Sequence, residues 1–123
     1  MSDVVEEIEP SSPVERIEHI NFGFPATILL PLVGFNLTEL SPLSGKIVDI
    51  VIDSPSEFVG ISCSINEIQI LPLAGEVTIR QAVKYPINKS VKMDDRLVVI
   101  LDNHDPLITH TPSIVWQVKG VDR

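Results

Sequence analysis

The residues best suited to chemistry sit in one short stretch, Asp102-Asn103-His104-Asp105, with His110 a few positions on. Imidazole nitrogens and carboxylate oxygens both ligate divalent transition-metal ions, so a loop carrying His104, His110 and these aspartates holds the right atoms for a zinc-type site. The same residues also make an ordinary polar inter-strand loop, because Asp, Asn and Pro are turn formers and no second ligand pair stands elsewhere in the sequence. His19 is far away along the chain. Asp94-Asp95, and Asp49 with Asp53, supply further carboxylates, but the acidic spacing of an EF-hand loop is absent. There is no Gly-x-Ser-x-Gly and no Gly-x-x-x-x-Gly-Lys, and Cys63 has no sequence-local partner. The expectation is a non-enzymatic protein with no catalytic, cofactor-binding or metal-binding residue and no cofactor.

The elements that would position these residues are strands. Isoleucine and valine supply 31 of 123 residues, 16 and 15 respectively, beside ten prolines. Branching at Cβ restricts χ1 in a helix and packs well on a pleated sheet, so this composition selects β-structure. From Phe24 onward, short apolar runs alternate with Pro, Gly, Asn, Asp and Ser, the punctuation of a sandwich or barrel. Strands are expected over residues 27–30, 35–40, 46–53, 58–65, 68–71, 76–80, 96–101 and 113–119. In residues 46–53, Val48, Ile50 and Ile52 are expected to face one way and Asp49, Val51 and Asp53 the other. Asn66-Glu67 is the candidate hairpin turn. Residues 82–91, interrupted by Pro86, read as an edge segment, because proline donates nothing to a ladder. The unbroken run Leu97-Val98-Val99-Ile100-Leu101 reads as a central strand buried on both faces. Trp116 and Cys63 read as core residues, with ligand stacking as the rival role for Trp116. The fold expected is all-β: an antiparallel two-sheet β-sandwich, jelly-roll-like, over residues 25–123, preceded by an extended N-terminal arm over residues 1–24.

Within that arm, Ser12-Pro13-Val14-Glu15 has the form of a helix start, with a capping serine, proline at the first helical position and glutamate three after the cap. A short helix over residues 13–20 is one reading and an edge strand the other.

The formal net charge is −8, and the lysines and arginines are scattered without a run. Nucleic-acid binding needs clustered cations that displace counterions from phosphate, so no direct nucleic-acid partner is expected. No stretch of 18 apolar residues occurs, and the first residues are acidic where an export signal would be basic, so neither a membrane partner nor export by the usual route is expected. What the sequence has in surplus is apolar surface. Leu29, Leu30, Leu32, Val33 and Phe35 around Pro31 and Gly34, together with Leu71, Leu73 and Leu107 at proline-containing loops, exceed what solvent-facing turns need, and the first five, with Val4, Val5 and Ile8 of the arm, are the expected interface residues.

Ser44-Gly45-Lys46-Ile47 through Asp53-Ser54-Pro55, then Phe58-Val59-Gly60-Ile61, Ile68-Gln69-Ile70-Leu71-Pro72, Tyr85-Pro86-Ile87-Asn88 and Asp95-Arg96-Leu97 form a pattern over residues 44–101. It resembles small β-sandwich, jelly-roll-like virion accessory and decoration proteins of tailed phages and other prokaryotic DNA viruses. The shared features are structural: a Gly-led strand ending in a proline turn, a Val-Gly step into the next strand, and an Ile-x-Pro-type hairpin end. No functional residue is carried over. The resemblance implies a structural virion protein, a capsid decoration, cementing, turret or tail accessory subunit assembled in the host cytoplasm. Its partners would be other virion proteins, the major capsid protein above all, and further copies of itself. Two other uses stay open: a module binding a glycan or host receptor through loops such as residues 102–111, and a small metal-dependent enzyme on a double-stranded β-helix barrel using His104 and His110.

Overall fold

The computed structural model describes residues 14–23 and 27–123. Eight strands follow one another: β1 (Arg16–Asn21), β2 (Gly34–Leu40), β3 (Ser44–Asp53), β4 (Val59–Ile65), β5 (Ile68–Leu71), β6 (Ala82–Val91), β7 (Arg96–Asn103) and β8 (Ser113–Val121). They form two four-stranded sheets, ordered β1-β8-β3-β6 and β2-β7-β4-β5. Antiparallel ladders join β1 to β8, β2 to β7, β3 to β6 and β4 to β5, so the chain behaves as one long hairpin folded over itself. Further ladders between β3 and β8 and between β4 and β7 complete the sheets. Eight strands in this order make a jelly roll, and the antiparallel two-sheet sandwich expected from composition is the fold.

The core is built from alternate residues on facing strands. Ile47, Ile50 and Ile52 of β3, Val59, Ile61 and Cys63 of β4, Leu97, Val99 and Leu101 of β7, and Ile114, Trp116 and Val118 of β8 are all fully buried. Stripping water from this much branched aliphatic surface is the main force holding the two sheets together. Burial pushes the Cys63 thiol up to about 12, so it serves as a small neutral hydrophobe. The Trp116 ring packs tilted against Phe22 with centroids 6.0 Å apart, which assigns it to the core and removes it as a ligand platform.

Several local expectations change. Residues 16–21 are a strand, not a helix: all six pair with residues 120–115 of β8. An isolated helix of two turns is marginal in water, whereas a six-residue ladder satisfies the backbone at once. Because β1 is part of a sheet and Phe22 part of the core, the sandwich starts well before residue 25. In β3 a bulge between Ile47 and Asp49 breaks the register with both neighbours. It shifts the phase, so Ile47 points inward with Ile50 and Ile52, and Val48 does not. Residues 27–30 and 76–80 form no strands and contribute only the bridges Leu29 to His110 and Val77 to Ile61. Strand β7 is central, but only its inner face is sealed. Val98 and Ile100 face outward, half-covered, beside Ser62 and Ser64 of β4 and Asn36 and Thr38 of β2.

Other features match their sequence signals. Strand β6 is an edge strand and carries Pro86. Asn66 and Glu67 form a two-residue hairpin turn with φ of 48° and 75°, the left-handed pair of a type I′ turn that follows the twist of the strands. The Asn66 amide group donates to the Asp95 carboxylate at 2.9 Å and accepts from the Arg96 backbone at 2.8 Å. That bond from Asn66, followed by one from the Lys92 backbone N–H, holds the Asp95 carboxyl below its ordinary range.

The strand directions sort the connections. Residues 22–23, 27–33, 54–58, 72–81 and 104–112 gather at one end, and residues 41–43, 66–67 and 92–95 lie at the other, beside the start of β1 and the end of β8.

Candidate functional site

The end with four loops carries the polar stretch singled out in the sequence, and strand alternation decides where each side chain goes. Asn103 closes β7 pointing inward and is buried, while Asp102 and His104 on either side point outward. The Asn103 amide donates to the carbonyls of Ile108 (2.9 Å), Leu29 (3.1 Å) and Leu30 (3.2 Å), and its carbonyl accepts from the Asp105 N–H at 3.0 Å. One side chain therefore ties residues 29–30 to residues 105–108.

Asp105 then organises the loop it sits in. Its Oδ1 accepts from the backbone of Leu107 at 2.9 Å and Ile108 at 3.2 Å, and its Oδ2 lies 3.0 Å from His110 Nε2. These partners, the Leu107 N–H first and His110 next, hold the carboxyl below its ordinary range, so at neutral pH it is a fixed anion. His110 is also bound through its backbone, which exchanges two hydrogen bonds with Leu29 at 2.9 and 3.0 Å. The Leu32 N–H donates to the Asp105 carbonyl, and Thr27 Oγ1 donates to the Pro112 carbonyl.

The two histidines suggested as a metal pair are bound to different carboxylates. His110 is committed to Asp105, whereas His104 Nε2 lies 3.0 Å from Glu76 Oε1. Among the described residues, the one set of three potential metal ligands is Glu76, Asp102 and His104, whose donor atoms lie within 4.8 Å of one another. Sequence reasoning missed Glu76, because nothing in residues 72–81 reveals that Val77 will pair with Ile61 and carry its neighbour to the end of β7. A signal does exist in the pairing. Gly34 and Gly60 stand on either side of Asp102 in register. A methyl group on Gly34 would overlap the Asp102 carboxylate, and one on Gly60 would overlap that of Glu76.

Of the expected interface residues, Leu30, Leu32 and Val33 are exposed at this end. Leu29 is fully buried and Phe35 is packed partly against the core, so neither presents its whole side chain outward. Val4, Val5 and Ile8 lie outside the described residues. Leu107 and Leu73, also singled out in the sequence, are exposed at 83% and 81% of their full surface, Leu71 packs partly against the core, and the structure adds Phe58 and Ile108 to the exposed set. Backbone bonds from Leu32 to Asp105 and from His104 to Phe58 hold the three contributing loops side by side.

Two surface clefts, one lined by Glu15, Lys46, Val48, Asn88 and Lys119 and the other by Ile65, Asn66, Ile68, Ile70 and Asp95, lie toward the opposite end and contain no histidine. No helix among the described residues is long and apolar enough to cross a membrane. Compared with protein-family models, curated proteins and solved structures, the chain gives no match.

Proposed function

We propose that this chain is a structural virion protein, a decoration, cementing, turret or tail accessory subunit that works by protein–protein contact through the four-loop end of its jelly roll. The observation that carries the reading is the set Leu30, Leu32, Val33, Phe58, Leu107 and Ile108, apolar, exposed and held on hydrogen-bonded loops. Large apolar side chains gathered at one place mark interaction surfaces, and loops already fixed by Asn103 and Asp105 lose little entropy when a partner docks. The net charge of −8 suits a position on the outside of a shell better than on its DNA-facing lining. The partners proposed are the major capsid protein and further copies of this chain.

A sugar-binding use draws less support. With Trp116 in the core, Phe58 is the one exposed aromatic ring among the described residues, where stacking on a sugar would want a platform.

The virion reading is tested by mass spectrometry of virus particles purified on a density gradient from the cells that make this chain. The chain should be present in fixed stoichiometry to the major capsid protein. Its presence in the lysate but absence from the particles would refute a virion role.

A further inference from the structure

We propose that Glu76, Asp102 and His104 form a binding site for a first-row divalent metal ion, zinc by its donor set. The inference stands apart from the assembly reading and survives its failure.

The three residues come from two separate segments, and each is fixed by backbone structure rather than by the others. Asp102 lies within β7, paired on both sides with β2 and β4. His104 follows the anchored Asn103, and its own N–H donates to the Phe58 carbonyl at 2.9 Å. Glu76 precedes Val77, which exchanges backbone hydrogen bonds of 2.7 and 3.0 Å with Ile61. Donors held this way are preorganised, which is what a metal site asks of its protein.

The spacing suits an ion. Zinc binds imidazole nitrogen and carboxylate oxygen at about 2.0–2.2 Å, which puts neighbouring donors of a tetrahedral site roughly 3.3 Å apart. His104 Nε2 and Glu76 Oε1 are 3.0 Å apart, and the Asp102 oxygen completes a set no wider than 4.8 Å. An ion between them needs only small side-chain adjustments.

The charge also calls for a cation. Two carboxylates share this spot, and among the described residues the only ion pair either makes is the one between Glu76 and His104. The bare backbone of Gly34 and Gly60 gives both carboxylates room to lie across the sheet. One nitrogen and two oxygen donors match zinc or a similar transition ion better than calcium, which takes six or more oxygens. Three protein ligands leave a coordination position open to water or to a donor from a partner.

The competing explanation is a surface His–Glu ion pair with an aspartate near it. Titration of the full-length chain with zinc chloride in a calorimeter separates the two, beside Glu76→Gln, Asp102→Asn, His104→Gln and the control His19→Gln, which alters an exposed histidine on β1. The wild type and the control should bind one zinc per chain, and each of the three ligand variants should bind at least about tenfold more weakly. Saturating zinc should raise the melting temperature of the wild type and not of the ligand variants, which also shows that those variants fold. Gly60→Ala removes no ligand atom but displaces the Glu76 carboxylate, and it should weaken binding too. Absence of saturable binding by the wild type, undiminished binding in the carboxylate variants, or loss in the His19 control would overturn the site.

Discussion

Trp116→Ala is expected to destabilise the fold by about 3–5 kcal/mol, while Trp116→Phe should cost only about 1 kcal/mol. Trp116 is the largest fully buried side chain and sits on a central strand against Phe22. Truncation to alanine forfeits the transfer of the ring and opens a cavity that two hydrogen-bonded sheets collapse into poorly. Phenylalanine behaves differently because the indole carries a liability. Its Nε1 is the one buried side-chain nitrogen or oxygen among the described residues with no hydrogen-bond partner. Removing that unsatisfied donor offsets part of the lost volume. Urea midpoints of the two variants check this, and a phenylalanine variant as unstable as the alanine one would show that Nε1 is satisfied, for instance by a trapped water.

Asn103→Ala carries the second large effect, a loss of about 3 kcal/mol. The amide serves three carbonyls, but they do not suffer equally. The Leu29 carbonyl keeps the His110 N–H and the Leu30 carbonyl keeps the Val33 N–H. The Ile108 carbonyl and the Asp105 N–H lose the bonds that Asn103 makes to them, and Asp105 is buried. Asn103→Asp should be at least as damaging, because it aims a carboxylate at three carbonyl oxygens. Beyond global stability, amide hydrogen exchange should rise in residues 28–33 and 105–110, the segments that Asn103 joins. A change within about 0.5 kcal/mol, the range of an ordinary surface substitution, would contradict this role.

How far the sequence leads can be judged from these same residues. The alternation of Ile114, Trp116 and Val118 places Trp116 in the core, and the Pro86 interruption places β6 at an edge, since both signals are local. The β3 bulge is not local: it arises where β3 must match β6 and β8 together, and it moves Ile47 inward against the apparent period. At the N-terminus, a helix start signal at Ser12-Pro13 loses to a ladder with a strand nearly a hundred residues away. The loop end divides in the same manner. Asp102 and His104 stand out by type, and Leu30, Leu32 and Val33 by excess hydrophobicity. Leu107 stands out by the same excess, Glu76 and Phe58 join them only through tertiary pairing, and Leu29, apolar like its neighbours, is drawn into the core by its bridge to His110.

The claim that the four-loop end is a contact surface meets its most direct test in the mass of the native particle. Light scattering of the full-length chain at physiological salt should give a homo-oligomer. The double variant Leu32→Glu, Leu107→Glu, which places charges on two of the most exposed apolar side chains at that end, should give a monomer with an unchanged melting temperature. A wild type that is monomeric at every concentration, or a double variant that assembles as the wild type does, would contradict the account.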